Sequence, residues 1–199
     1  MKITKKWLKS YNACAKGIEF VENEGLIGLE VDKFVKRLIK LEKLDYGNWL
    51  IVRVLSKVEC VKYAVYSAEL VLPIWQKRYL ENNRPALAIE VAKKWLENSN
   101  INISNITATA AYAADAADAT TVANITADTY AGYAAAYAAY AAAYAANAAD
   151  ATTVANIAAA NAANASNYYA KTMRKIIKYG LKLYKKEDIV PKSRFRTKK

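Results

Sequence analysis

Five tyrosines stand at steps of three and four residues in a segment that is otherwise mostly alanine: Tyr130, Tyr133, Tyr137, Tyr140 and Tyr144. These steps follow the 3.6-residue period of an α-helix, so the spacing predicts a tyrosine stripe along one side of a helix. Tyrosine combines a rigid apolar ring with a hydroxyl group, and it is enriched in protein contact surfaces. We therefore predict that this stripe binds a protein partner. Packing between close alanine helices is the alternative.

The same spacing continues beyond the stripe through Asn147, Asp150, Val154, Ile157, Asn161, Asn164 and Tyr168. Together with the five tyrosines, these residues form what we call the Tyr/Asn/Asp seam, and alanine occupies most of the remaining positions. Residues 143–157 also repeat residues 111–125 with one change, Asp115 to Asn147. A strand would require a period of two, so the segment is predicted to be helical.

A second set of residues suited to binding is basic and lies near the end of the chain. The net charge is +12, residues 171–199 carry most of it, and residues 101–170 carry four acidic residues and no basic one. An amphipathic helix at about 169–186 would present basic side chains on its outer side. The alternative function is therefore the binding of nucleic acid or a nucleotide by this helix and the tail after it. The candidate anion-binding residues are Lys171, Arg174, Lys175, Lys178 and Lys182.

The charged residues of the N-terminal half indicate structure rather than catalysis. Arg53, Glu69, Arg84 and Glu90 lie in or beside apolar helical stretches, where charge is usually paired, so they are predicted to form a structural polar network. Histidine is absent, which excludes catalysis by Ser-His-Asp or Cys-His groups. Neither a metal nor a cofactor is expected, and the protein is predicted not to be an enzyme.

The elements that carry these residues are predicted to be helices throughout. We expect an all-α fold, a helical bundle or array with long, closely packed Ala-rich helices in the C-terminal half. Residues 1–100 would form amphipathic helices, and residues 101–186 an Ala-rich helical part that ends in the basic helix and packs with the first part as one unit. Residues 187–199 would form a basic flexible tail. Ser56 and Glu59 have the spacing of a capping box, and Pro73 should kink or end the helix that follows.

Cellular location is inferred from the cysteines and from hydropathy. Cys14 and Cys60 lack CxxC spacing and are interpreted as unpaired, buried residues of a reducing cytoplasm. The stretch from Thr129 to Ala149 has no charged residue, but it also lacks Leu, Ile, Val and Phe. A membrane helix is built mainly from those residues, so no membrane insertion is expected. We expect a cytoplasmic protein of unknown oligomeric state.

Three segments together resemble the Imm-five-like immunity proteins of bacterial and phage genomes. They are residues 46–53 (YGNWLIVR), residues 63–74 (YAVYSAELVLPI) and the stretch from Asn83 through Trp95. The resemblance covers roughly residues 1–185, including an Ala-rich helical region of variable length. It implies a non-enzymatic immunity-like or phage accessory protein that neutralises a toxin by stoichiometric binding. Many relatives carry Arg or His where Tyr and Asn stand here, which implies a toxin-binding surface of different charge.

Overall fold

The computed structural model describes residues 1–78, 84–97 and 169–188, together with residues 156, 159–160 and 162–163 of the Ala-rich part. Within these ranges the chain is helical and forms no strand, and one isolated bridge pairs Lys2 with Glu30. The all-α prediction is thus confirmed. The named helices are α1 (Lys5–Ser10), α2 (Ala15–Asn23), α3 (Val31–Lys40), α4 (Leu44–Val54), α5 (Lys57–Arg78), α6 (Arg84–Glu97) and α7 (Tyr169–Asp188).

Side-chain caps define where several helices begin. The Thr4 side chain accepts a hydrogen bond from Trp7 N at 3.1 Å and so caps α1. The predicted capping box is confirmed at the start of α5, because Ser56 N donates to a carboxylate oxygen of Glu59 at 3.3 Å and Glu59 N donates to Ser56 Oγ at 3.4 Å. These bonds satisfy N–H groups that have no partner within the helix.

The core forms where the two ends of the chain meet. Helix α7 packs against α4 and α5, α3 packs against α4, and α6 packs against α5. One apolar cluster contains side chains from both ends of the chain, including Phe34, Leu50, Ile51 and Ile177. Three alanines of the Ala-rich part, Ala159, Ala162 and Ala163, are completely buried in the same cluster. The C-terminal helix is therefore part of the core that the N-terminal helices build.

A buried polar chain joins α4, α5 and the Ala-rich part. The Tyr63 hydroxyl donates to Asn48 Oδ1 at 2.9 Å, and Asn48 Nδ2 donates to the Asn156 carbonyl oxygen at 3.1 Å. Tyr63 is fully buried and Asn48 nearly so. Buried polar groups are costly unless they are hydrogen-bonded, so these bonds fix which residues of the three segments can face one another.

Several local expectations from the sequence differ from the structure. Of the two outcomes expected at Pro73, an end of the helix is contradicted, because α5 continues to Arg78, where packing against α6 and α7 offsets the loss of one backbone hydrogen bond. Cys60 is buried, but Cys14 is exposed and its sulfur caps α2 by accepting from Gly17 N at 3.3 Å. Both cysteines are free. Glu187 and Asp188, assigned to the tail, are the last two residues of α7. Residues 189–199 lie outside the described residues.

The close approach of α7 to α4 and α5 depends on Gly180. A Cβ atom there would lie 2.7 Å from Ile51 Cγ1 and 2.7 Å from Tyr63 Cε2. We expect Gly180→Ala to lower the free energy of unfolding by about 1–2 kcal/mol, because overpacking outweighs the gain in helix propensity. The control is Gly47→Ala in α4, where the nearest atom is the tip of the Ile177 side chain at 3.3 Å, so the gain in helix propensity should offset the smaller adjustment and little net change is expected. Equal effects of the two substitutions in urea unfolding would contradict this account.

The buried Tyr63 hydroxyl predicts a pH dependence of stability. Burial raises the pKa of Tyr63 well above its ordinary value. The protonated hydroxyl of Tyr63 therefore contributes to stability below pH ~10, the unfolded-state pKa of tyrosine. This contribution is lost as the pH rises towards the folded-state pKa. Tyr63→Phe should cost about 1–3 kcal/mol at neutral pH, because Asn48 Oδ1 loses its donor.

Above pH ~10 the difference between the wild type and the Tyr63→Phe variant should narrow, because only the wild type still has this hydroxyl to ionise on unfolding. Unfolding curves measured from pH ~7 upwards check both statements. Tyr11→Phe, at an exposed tyrosine, is the control and should leave stability unchanged. If the difference in the free energy of unfolding between the wild type and Tyr63→Phe stays constant across this pH range, the pH dependence does not come from Tyr63.

Candidate functional site

An aromatic–arginine cluster lies on the surface where α1 meets α4. The rings of Trp7 and Tyr11, one helical turn apart in sequence, have centroids 4.6 Å apart, and Trp7 contacts Trp49 edge-on at 6.4 Å. The Arg53 guanidinium carbon lies 3.8 Å from the centroid of the Trp49 ring, and Arg53 Nη1 donates to the Trp49 carbonyl oxygen at 2.8 Å. Tyr11 is 43% exposed. The cluster therefore presents tyrosine, tryptophan and arginine to solvent, the residue types that most often dominate binding energy in interfaces.

A cavity of about 380 Å³ opens beside this cluster. Its walls include apolar side chains such as Leu8 and Phe34 and the aromatic rings of Tyr46 and Trp49, with Asn156 of the Ala-rich part. Burial lowers the pKa of the neighbouring Arg53 guanidinium, and the nearby Tyr11 hydroxyl opposes this change. Arginine stays protonated in proteins under ordinary conditions, so the cluster keeps its positive charge. The arrangement suits an apolar anchor group of a partner.

A second depression lies between α3 and α7 and is basic. It encloses about 320 Å³, with apolar walls from Ile39 and Leu181. We call this feature the lysine groove, and its lining lysines are Lys36, Lys178, Lys182 and Lys185. Two of the predicted anion-binding residues, Lys178 and Lys182, are therefore brought together with lysines that the sequence analysis did not select.

Asp32 of α3 orders one side of the lysine groove. Its carboxylate lies 3.2 Å from Lys36 Nζ and 3.7 Å from Lys185 Nζ. Burial raises the pKa of Asp32, but the hydrogen bond and charge of Lys36 and the charge of Lys185 outweigh it and leave the pKa below its ordinary value. Asp32 therefore stays ionised and holds two of the four lysines. Within the described ranges, no ion pair engages Lys178 or Lys182, and both are exposed.

The other predicted anion-binding residues lie elsewhere on α7. Arg174 is half-buried and forms an ion pair with Glu42, in the turn between α3 and α4. Lys171 and Lys175 are exposed. Of the predicted set, only Lys178 and Lys182 line the groove.

The acidic members of the predicted polar network pair with lysines. Glu69 of α5 forms an ion pair with Lys93 of α6, and Glu90 pairs with Lys94 at 2.8 Å. The hydrogen bond and charge of Lys94 lower the pKa of Glu90. Arg53 instead stacks on Trp49, and the side chain of Arg84 lies outside the described side chains. Exposed lysines within reach on the same or an adjacent helix provide nearer partners than an arginine at the far end of α4.

The tyrosine stripe, Tyr130 to Tyr144, lies outside the described residues. In the described ranges, no three His, Cys, Asp or Glu side chains come together as they would to hold a metal ion. In the same ranges, no helix has the length and hydropathy that would suit a membrane crossing.

Sequence reasoning missed two features that the structure assembles. The aromatic–arginine cluster had a local signal, because Trp7 and Tyr11, like Trp49 and Arg53, are four residues apart and so share a helix side. The joining of these two pairs required the packing of α1 against α4. The lysine groove likewise combines Lys36 with Lys182, which are far apart in sequence.

Comparison with known proteins identifies a family. The sequence model of the family described as Immunity protein Imm5 matches residues 52–175, which is more than half of the chain. No curated protein and no solved structure matches. The matched range begins at Val52, so it includes α5, α6, the whole Tyr/Asn/Asp seam and the start of α7, whereas most of the aromatic–arginine cluster precedes it. The match confirms the resemblance found in the sequence, and the chain belongs to the Imm5 immunity protein family.

Proposed function

We propose that the protein neutralises a protein toxin by stoichiometric, non-catalytic binding, and that the Tyr/Asn/Asp seam is its contact surface. Membership of the Imm5 immunity protein family supports an immunity-type function. The seam lies inside the matched range, which connects it to the part of the chain that the family shares. A contact surface must also be accessible to a partner.

Three buried alanines indicate which side of the Ala-rich segment faces the core. Ala159, Ala162 and Ala163 lie in the core, and none of them belongs to the seam. At 3.6 residues per turn, the mean direction of these three positions differs by roughly 180° from that of the nearby seam positions, Ile157 to Tyr168. This segment thus packs into the core by its alanine side, which supports a seam that points away from the core. This is the observation that carries the proposal.

The small size of alanine explains why this side suits the core. A side chain of one carbon allows helix axes to approach closely, and it loses no rotamer freedom on burial. The Asn48–Asn156 hydrogen bond further fixes the segment against α4. Polar residues such as Asn161 and Asn164 would be costly in that apolar environment without partners, which supports a seam that faces away from the core.

Two substitutions two residues apart test which side of this helix is buried. Ala163→Leu should lower the free energy of unfolding by about 1–3 kcal/mol, because Ala163 is fully buried and the larger side chain overpacks the core. Asn161→Ala should leave stability within about 0.5 kcal/mol of the wild type or raise it slightly, since an exposed helix position gains propensity. Chemical unfolding of both variants is the measurement. The reverse order of effects would mean that the seam faces the core.

The functional test compares the tyrosine stripe with the described aromatic–arginine cluster. The partner is captured from the native host, identified, purified and recombined with the protein in calorimetric titrations. The triple variant Tyr133→Ala, Tyr137→Ala and Tyr140→Ala should keep its unfolding midpoint but weaken binding about thirtyfold or more, because tyrosines at an interface centre often contribute about 2 kcal/mol or more. Tyr11 of the aromatic–arginine cluster precedes the range that the family model matches, so under this proposal Tyr11→Ala should bind as the wild type does.

The same variants are then expressed in cells that produce the purified partner protein. Wild-type protein and Tyr11→Ala should protect growth at equal molar ratio, whereas the triple variant should not. A triple variant that is folded and still protects would rule out the tyrosine stripe as the contact surface. Protection by amounts far below one equivalent would rule out stoichiometric binding.

A further inference from the structure

We propose that the lysine groove between α3 and α7 binds an acidic helical segment of the protein partner, with carboxylates one turn apart and an apolar side chain between them. The inference rests on the proposed function, since it specifies the chemistry of the same partner. It rests on the shape, the charge and the spacing of the groove, each of which restricts what can occupy it.

The charge of the groove selects an anion. Lys36, Lys178, Lys182 and Lys185 surround it, and Asp32 is the carboxylate that contacts two of them. Lys178 and Lys182 are exposed, with no ion-pair partner among the described residues. Lysines on neighbouring helix sides repel one another, so a partner carboxylate between them relieves this repulsion as well as forming new contacts.

The spacing of the exposed lysines fits a helix. Lys178 and Lys182 are four residues apart on α7, so they lie on one side at a separation of roughly 6 Å along the axis. Lys185 follows three residues later and continues the same side. Glutamates at steps of four and three residues on a partner helix would repeat these intervals, and an amphipathic helix in a groove is a common mode of recognition.

The apolar walls separate a protein segment from a nucleic acid. Ile39 and the largely buried Leu181 form an apolar surface between the lysines, which suits a leucine-sized side chain. The groove is lined by no aromatic ring or arginine among its described residues, whereas single-stranded nucleic acids are usually held by stacking on such groups. The fixed charge of Asp32 beside Lys36 and Lys185 also disfavours a phosphate chain along that wall.

The probe is an alanine-based helical peptide with three glutamates at steps of four and three and a leucine between the first two. We expect measurable binding in fluorescence anisotropy at low salt and weaker binding at high salt. Replacing the glutamates by glutamine should abolish binding, and replacing the leucine by alanine should weaken it about fivefold to tenfold, because a buried leucine contributes apolar area. Binding that does not depend on the leucine would overturn the proposed role of Ile39 and Leu181.

A matched pair of protein variants locates the site. Lys178→Gln with Lys182→Gln should weaken peptide binding about tenfold, as expected for the loss of two partly exposed ion pairs. Lys9→Gln with Lys16→Gln changes the net charge equally at exposed positions of α1 and α2 and should have little effect. Equal weakening by both pairs would show that only overall charge acts, and the inference would fail. Equal unfolding midpoints establish that both variants are folded.

Two further arms distinguish the remaining outcomes. In the first, a single-stranded DNA oligonucleotide binds more tightly than the peptide and loses affinity in the Lys178/Lys182 variant to the same extent. That result would show that the groove binds nucleic acid and not an acidic helix. In the calorimetric titrations, a Lys178/Lys182 variant that no longer binds the peptide should also have a lower affinity for the purified partner. If the variant binds the partner as the wild type does, the groove inference fails while the proposed immunity function stands.

Discussion

The packing of α7 between α4 and α5 determines the arrangement of the whole described structure. At Gly180 the helix axes approach so closely that a single methyl group would lie 2.7 Å from atoms of Ile51 and Tyr63. A contact this close requires glycine on α7, and it brings the chain end into the core that α3, α4 and α5 form. The lysine groove exists only because this packing places α7 beside α3. The C-terminal helix is thus a structural element first, and its outer side becomes a binding surface as a consequence.

The hydrogen bonds of Asn48 fix the position of the Ala-rich part relative to α4 and α5. Asn48 is nearly buried and connects Tyr63 of α5 with the Asn156 carbonyl oxygen. An apolar side chain at position 48 would leave the segment around Asn156 free to rotate or slide against α4. Hydrogen bonds of fixed direction prevent this, which is why a specific side of that segment, with Ala159 and Ala163, lies in the core. An orientation of this kind is a precondition for any function of the opposite side.

Features that depend on residues close together in the sequence were predictable, whereas features that depend on the packing of distant helices were not. The periods of α3 and α7 and the capping box at Ser56 depend on residues within a few positions, so they are readable directly. The partner of Arg53 is also local, since Trp49 is one turn away, whereas the sequence predicts a polar network of Arg53 with Glu69, Arg84 and Glu90. Glu69 pairs with Lys93 of α6 and the groove joins Lys36 to Lys182, and both depend on helix packing, which a periodic pattern does not encode.

The distribution of charge distinguishes the two proposed contact surfaces. The Ala-rich residues 101–170 contain acidic residues and no basic ones, whereas the lysine groove is strongly basic. The seam itself carries one carboxylate, Asp150, so a partner would meet mainly uncharged side chains there and would need carboxylates only at the groove. Salt would then weaken the groove contact and leave the seam contact nearly unchanged. Charge at the groove would set the orientation and the rate of association, and the tyrosines of the seam would supply most of the affinity.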